Sequence, residues 1–314
     1  MRASILALPL LLTAAPALAA PLDDDDNAAA AAALAASNVP APLKLMLEAA
    51  IESGNENDVA IIVKYARTAA PDSADQLVKI AADWRDARTK KAQAKIRSAD
   101  FFALVKGHAE LGGYVTTGNT ENVGIAAAME LKRDGLQWRH KLRLQGDYQE
   151  SLGITTRERY LAAYEPNWKF DDRAYLYGAA QYESDRFSGF SDRVSLSSGI
   201  GYSAIKSPKM KLDLEVGPAF RYTRFIAQPE ESNAAARGSL DFGWKITKGI
   251  SVTQNASAYL QDANSTISSK SALLTKLFGP LSAQFSYSLQ YESTPAIGRK
   301  STDSTSRAAL VVDF

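Results

Sequence analysis

Residues 138–148 read Trp138-Arg139-His140-Lys141-Leu142-Arg143-Leu144-Gln145-Gly146-Asp147-Tyr148. Trp138, His140, Leu142, Leu144 and Tyr148 share one parity, and Arg139, Lys141, Arg143, Gln145 and Asp147 the other. Successive side chains of a strand point to opposite faces, so this period of two marks a strand with one apolar and one charged face. The period holds from Gly107 to the end of the chain. Tyr160, Ala162, Tyr164, Trp168 and Phe170 oppose Arg159, Ala163, Glu165 and Lys169. Leu212, Leu214, Val216, Phe220 and Tyr222 oppose Lys211, Asp213, Glu215 and Arg221, and Leu240, Phe242, Trp244 and Ile246 face away from Arg237, Asp241 and Lys245.

The connections decide which β-fold this is. Short turns are expected at Asp134-Gly135, Asp171-Asp172, Ser207-Pro208, Lys248-Gly249 and Gly279-Pro280. Between them fall longer polar loops at Gln149 to Ile154, Ser184 to Ser191, Ile226 to Asn233 and Ser293 to Lys300, with shorter ones at Thr117 to Glu121 and Asp262 to Ser265. Strict alternation of tight and loose connections puts all tight turns at one rim of an up-and-down antiparallel array, as in outer-membrane barrels, and the count is about twelve strands. Trp138, Trp168, Phe170, Trp244 and Phe314 lie beside the tight-turn rim, and Tyr148, Tyr160, Tyr182, Tyr222 and Tyr291 toward the other. Two aromatic belts flanking an aliphatic band fit a lipid-facing wall, whereas a soluble barrel would keep its apolar face inside. The expected fold is therefore a transmembrane β-barrel over residues 107–314, with outer-membrane lipid as its surroundings. The alternation Ala308, Leu310, Val312, Phe314 runs to the last residue, and such an aromatic terminus resembles the signal that barrel assembly machinery recognises.

Upstream, residues 1–20 carry Arg2, an apolar core from Ile5 to Leu12 and a small-x-small site at Ala17-Leu18-Ala19, the pattern of a secretory signal peptide. Residues 21–41, with Asp23 to Asp26 and the alanines of 28–36, read as a low-complexity spacer. Residues 42–100 read as a helical periplasmic segment. Leu43, Leu47, Ala50 and Ile51 recur at helical spacing, then Val59, Ile62, Val63 and Ala66, and Pro71 opens a third helix through Leu77, Ile80, Ala81 and Trp84. That helix runs into Arg85, Arg88, Lys90, Lys91, Lys95 and Arg97, either a solvated face or a surface for anionic lipid or cell-wall phosphate. Export and a barrel together place the protein in the outer membrane of a Gram-negative bacterium.

Composition narrows the functions. The 314 residues carry a formal charge of +1, too balanced for nucleic-acid binding by bulk electrostatics. Cysteine is absent and there are 2 histidines, His108 and His140, so thiolate chemistry is excluded and a histidine metal site has little material. A mean hydropathy of −0.20 excludes a bundle of transmembrane helices. No glycine-rich phosphate loop, zinc motif or calcium loop occurs, and no cofactor is expected.

Two stretches carry a family resemblance: Gly113-Tyr114-Val115-Thr116-Thr117-Gly118-Asn119-Thr120, and Tyr182-Glu183-Ser184-Asp185-Arg186-Phe187-Ser188-Gly189-Phe190 with Gly199-Ile200-Gly201-Tyr202. They resemble the salt-induced outer-membrane protein family, known as domain of unknown function 481, over about residues 107 to 314. The resemblance implies an outer-membrane barrel and says almost nothing about substrate.

The charged parity then defines the expected lumen. It carries Arg139, Lys141, Arg143, Arg157, Arg159, Arg221 and Arg237, and against them Glu165, Glu183, Asp213, Glu215 and Asp241. Arg139, Lys141, Arg143, Arg157 and Arg159 have only Asp147 and Glu165 on their own two strands, which favours a narrow, anion-leaning channel for small solutes. The alternative is a plugged barrel, its charges paired across the lumen, serving as a structural tether. An outer-membrane enzyme is disfavoured, because His140 lies on the lipid parity, away from the rim where a triad would work.

Overall fold

The alternating stretches form a closed antiparallel ring in which each strand pairs with its sequence neighbours and the last pairs with the first. The strands are β1 (Val105–Thr117), β2 (Asn122–Asp134), β3 (Trp138–Ser151), β4 (Ile154–Lys169), β5 (Ala174–Asp185), β6 (Phe190–Lys206), β7 (Met210–Phe225), β8 (Glu231–Lys245), β9 (Ile250–Leu260), β10 (Thr266–Phe278), β11 (Leu281–Glu292) and β12 (Thr302–Asp313). The computed structural model describes residues 24–117, 122–151, 154–262, 264–295, 298 and 300–314. The leader at 1–20 and the Gly118-Asn119-Thr120 turn lie outside the described residues. The chain divides into two units, Met1–Ala99 and Asp100–Phe314.

Parity sorts the barrel as the sequence predicts. Leu111, Ile125, Leu144, Leu196, Ile200, Val216, Phe285 and Leu310 are exposed on the outer wall, while Glu110, Asp147, Glu183, Arg193, Glu215, Arg221 and Arg237 are buried inside. An apolar exterior this continuous needs an apolar solvent, and closure of the ring leaves no edge strand unpaired in it. Exposed Trp138, Trp168, Phe170, Trp244 and Phe314 mark one rim and Tyr148, Tyr160, Tyr182 and Tyr291 the other, so the wall is that of a transmembrane barrel.

The loop asymmetry is weaker than the sequence suggests. Polar Gln149 to Ile154 was expected to be a long loop, but β3 reaches Ser151 and β4 begins at Ile154, with a bulge between Gln149 and Glu150. Polar composition there belongs to strand ends rising above the apolar band. The longest connection, between Glu292 and Thr302, does lie at that rim.

At the opposite rim the ring closes to its last residue. The Gly107 amide donates to the Phe314 carbonyl at 2.8 Å, and the Phe314 amide donates to the Gly107 carbonyl at 2.9 Å. Gly107 is needed there, since a Cβ would sit 2.6 Å from the Phe314 ring. Just before β1, a 3-10 turn at Phe102–Leu104 follows Phe101, whose ring lies 4.5 Å under the Arg133 guanidinium. Arg133 Nε also donates to the Phe101 carbonyl at 3.2 Å.

The other unit has four helices among its described residues: α1 (Asp24–Ala35), α2 (Ala41–Glu52), α3 (Glu56–Ala69) and α4 (Pro71–Ser98). The stretch expected to be a spacer is corrected here. Alanine has the highest helix propensity, so 24–35 is helical, and Ala30, Leu34 and Val39 join Leu47, Ile51, Val59, Leu77 and Trp84 in the core. Half of the basic run on α4 is tied to neighbouring groups of the same unit. Arg88 stacks 4.7 Å from the Trp84 ring and donates to the Gly54 carbonyl, Arg85 donates to the Glu56 carbonyl, and Lys91 pairs with Asp26 at 2.8 Å. None of these helices is long and apolar enough to cross a membrane.

Candidate functional site: the barrel lumen

The lumen is narrowed first by backbone. Inward-facing Gly199 of β6 and Gly217 of β7 pass so closely that added Cβ atoms would lie 2.2 Å from the Val216 carbonyl oxygen and 2.0 Å from that of Ser198. Gly112 of β1 stands 2.3 Å by the same measure from the Ala308 carbonyl oxygen of β12. These two lines of tight curvature are six strands apart in the ring, so the wall bends sharply on opposite sides.

Side chains confirm the flattening. A round ring of twelve strands spaced about 4.8 Å and tilted about 40° would be roughly 23 Å across. Yet Lys141 of β3 reaches Asp241 of β8 at 3.1 Å, a span of only about 13 Å for two extended side chains. Arg193 of β6 meets Glu292 of β11 at 3.0 Å in the same way.

The remaining pairs fill one side of the lumen. Arg139 of β3 binds Asp213 of β7 at 3.2 Å, and Lys141 also binds Glu165 at 2.9 Å. Arg237 binds Glu215 at 2.9 Å and approaches Glu165 at 3.8 Å. Arg159 meets Glu183 at 3.3 Å and Asp185 at 3.9 Å. Tyrosines wedge between them: Tyr175 donates to Glu215 at 3.1 Å beneath the Arg139 guanidinium, and Arg237 lies over the Tyr177 ring. Arg221 covers Tyr259 and donates to the Thr266 hydroxyl at 2.8 Å. Buried ions fixed by several hydrogen bonds and a ring hold their positions, because leaving one charge alone in such a place costs several kcal/mol.

This overturns the premise of an unneutralised cationic run. Its acids come from across the lumen for β3, where Asp213 and Asp241 reach Arg139 and Lys141, and from the neighbouring strand β5 for Arg159, which meets Glu183 and Asp185. Arg143 alone of that run keeps a loose contact, 3.8 Å from Glu130, while Arg157 is buried against the cavity described next. Sequence reasoning passed over the inward tyrosines, although Tyr175 and Tyr177 stand in step with Glu183 at two-residue intervals. It also passed over Glu110, which holds Arg307 at 3.4 Å and accepts from Gln284 at 2.9 Å.

The other side of the lumen is open. Inward positions of β9 to β12 carry Asn255, Ser257, Ser268, Ser288 and Thr305, and β2 adds Ala128. Beside them runs a cavity of about 280 Å³, touching His108 near the rim where the chain ends and Ser188 at the opposite rim. His140 is outside, stacked between Trp138 and Tyr164 with Nδ1 2.8 Å from the Tyr164 hydroxyl.

Residues 109–314, the β-barrel with its lumen, match the family described as protein of unknown function, DUF481. The chain belongs to the DUF481 family. Its similarity extends to the uncharacterized protein YdiY of Escherichia coli strain K12, 24% identical over 190 residues, which make up 60% of this chain and 75% of that protein. Solved barrels are more distant. The NanC porin is 9% identical with a TM-score of 0.47, over 66% of this chain and 100% of that one. The translocator domain of the autotransporter NalP from Neisseria meningitidis is 11% identical with a TM-score of 0.42, over 74% and 96%. The lumenal pairs described above thus belong to the part of the chain that defines DUF481 membership.

Proposed function

We propose that this DUF481 barrel lies in the outer membrane of a Gram-negative envelope, with its helical unit in the periplasm, and passes small hydrophilic solutes through an off-centre conduit. The observation that carries this reading is the polar cavity of about 280 Å³ that touches both rims, with β3, β4, β5 and β8 on one flank and the smaller residues of β9 to β12 on the other. The cavity is lined by Lys141, Arg143, Arg157, Arg159, Arg237 and Lys270 and by Glu110, Glu130, Glu165, Glu183, Asp185, Asp241 and Asp303. Balanced lining favours weak ion selectivity over an anion preference, since lumen charge sets selectivity.

One observation favours a second reading. Lys141–Asp241 and Arg193–Glu292 cross the lumen, and a barrel so laced is suited to be a closed tether. Its partner would be the cell wall, met through exposed Lys90, Lys95 and Arg97 of α4. Planar-bilayer recording of the full mature protein decides between them: small, ohmic, weakly selective conductance supports the conduit, and silence from folded protein supports the tether. Orientation is tested separately by epitopes. One at Ser188 is expected to be labelled on intact cells and one at Gly249 is not, and the reverse pattern would invert the topology.

A further inference from the structure

The lumenal ions fall into two classes. Arg139, Lys141, Arg193, Arg237 and Arg307 each hold a carboxylate at 2.6 to 3.2 Å, with side chains 2% to 13% exposed. Arg143 and Glu130 differ: they stand 3.8 Å apart without a hydrogen bond among the described residues, and their side chains are 45% and 35% exposed. Lys270, 37% exposed, has its nearest carboxylate at 3.7 Å, and that one, Glu110, is already engaged by Arg307 and Gln284. Asp241 is held by Lys141 and Asn255 yet remains 34% exposed. Arg143, Glu130 and Lys270, with the part-exposed Asp241, all line the cavity. Glu130 stands opposite Arg143 on the neighbouring strand, Lys270 reaches Glu110 on the strand next to that of Glu130, and Lys141, two residues from Arg143 on the same face of β3, holds Asp241.

We infer that these four side chains form a binding site for a small zwitterion, a solute such as an α-amino acid that carries one carboxylate and one ammonium group. The inference rests on the conduit reading and names its solute class. Arg143 and Lys270 face the carboxylate, for which a guanidinium offers paired donors, and Glu130 and Asp241 face the ammonium. A purely anionic solute meets repulsion from the two acids, a cation meets it from the two bases, and a neutral one leaves Arg143, Glu130 and Lys270 without a close charged partner. The cavity, about 280 Å³ over its whole length, offers room for a small amino acid.

Calorimetry on the full-length protein, folded in detergent, tests this with alanine, lactate, which lacks the ammonium, and isopropylammonium, which lacks the carboxylate. Alanine is expected to bind about tenfold more tightly than either, a difference of roughly 1.4 kcal/mol. Glu130→Gln and Lys270→Gln are each expected to weaken alanine about tenfold while the protein stays heat-modifiable. Glu130→Gln should also strengthen lactate binding, a change of sign that general damage does not produce. Equal affinity for the three solutes, or variants that bind alanine like the parent, would overturn the site. Conductance in plain salt is recorded alongside. Conductance without alanine preference sinks the site and keeps the conduit, and alanine binding by a non-conducting barrel sinks the conduit and keeps the site.

Discussion

The two sides of the lumen are built from one strand pattern and end in opposite states. On β3 to β8 the inward positions hold arginine, lysine, glutamate and tyrosine, which meet across the flattened ring and fill it. On β9 to β12 small serine, threonine and asparagine side chains at Asn255, Ser257, Ser268, Ser288 and Thr305 interrupt the long ones such as Tyr259, Glu292 and Arg307, and space remains. Charge alone does not make the difference, since Lys270 and Asp303 stand on the open side. Side-chain length does: whether a barrel of this size is plugged depends on how far its inward groups reach.

The strongest way to break the comparison is to remove one cation from the filled side. Arg237→Leu leaves Glu215 and Glu165 without a shared partner and is expected to cost about 3–5 kcal/mol. Ser288→Ala on the open side should stay within about 0.5 kcal/mol. Urea unfolding in lipid vesicles measures both, and similar losses would erase the distinction. Next in size is the bend between β6 and β7. Gly199→Val drives side-chain atoms into the Val216 carbonyl and should cost about 1–3 kcal/mol. Gly243, with nothing within 4 Å of its added Cβ, should accept alanine almost silently, and the folded fraction on gels reads both. Gly107→Val is expected to cost about 1 kcal/mol by displacing the Phe314 ring, seen as a lower yield of heat-modifiable protein. The smallest effect sharpens the comparison. Lys141→Met combined with Asp241→Leu and Glu165→Gln removes a crossing pair together with the second acid that Lys141 holds, so conductance should rise about twofold with little change in stability.

Much of the barrel could be read from residues, because a period of two is visible wherever one face is apolar and the other charged. Inward placement of Arg139, Lys141, Arg159, Glu183, Glu215 and Arg237 followed from that parity. Glu183, Asp213, Glu215 and Asp241 could be named as a set of partners, but which acid meets which base did not follow. Lys141 and Asp241 are 100 residues apart, and their meeting depends on a flattened cross-section that no local pattern records. The glycines that bend the wall look in sequence like any strand glycine. In the helical unit the alanines of 28–36 show no amphipathic stripe, and only the packing of Leu34 and Val39 against Leu77 and Trp84 reveals them as part of a core.

The joint before β1 has a mechanical consequence. Tension travelling along the chain from residues 24–99 arrives at Phe101, which Arg133 grips from β2 by both its ring and its carbonyl. Force is therefore shared with β2 before it reaches β1, whose first residues form the closing seam with Phe314. A pull in that direction loads the Gly107–Phe314 hydrogen bonds with only part of the force. Arg133 thus acts as a strain relief at the place where a cylinder made from a single ribbon would otherwise begin to unzip.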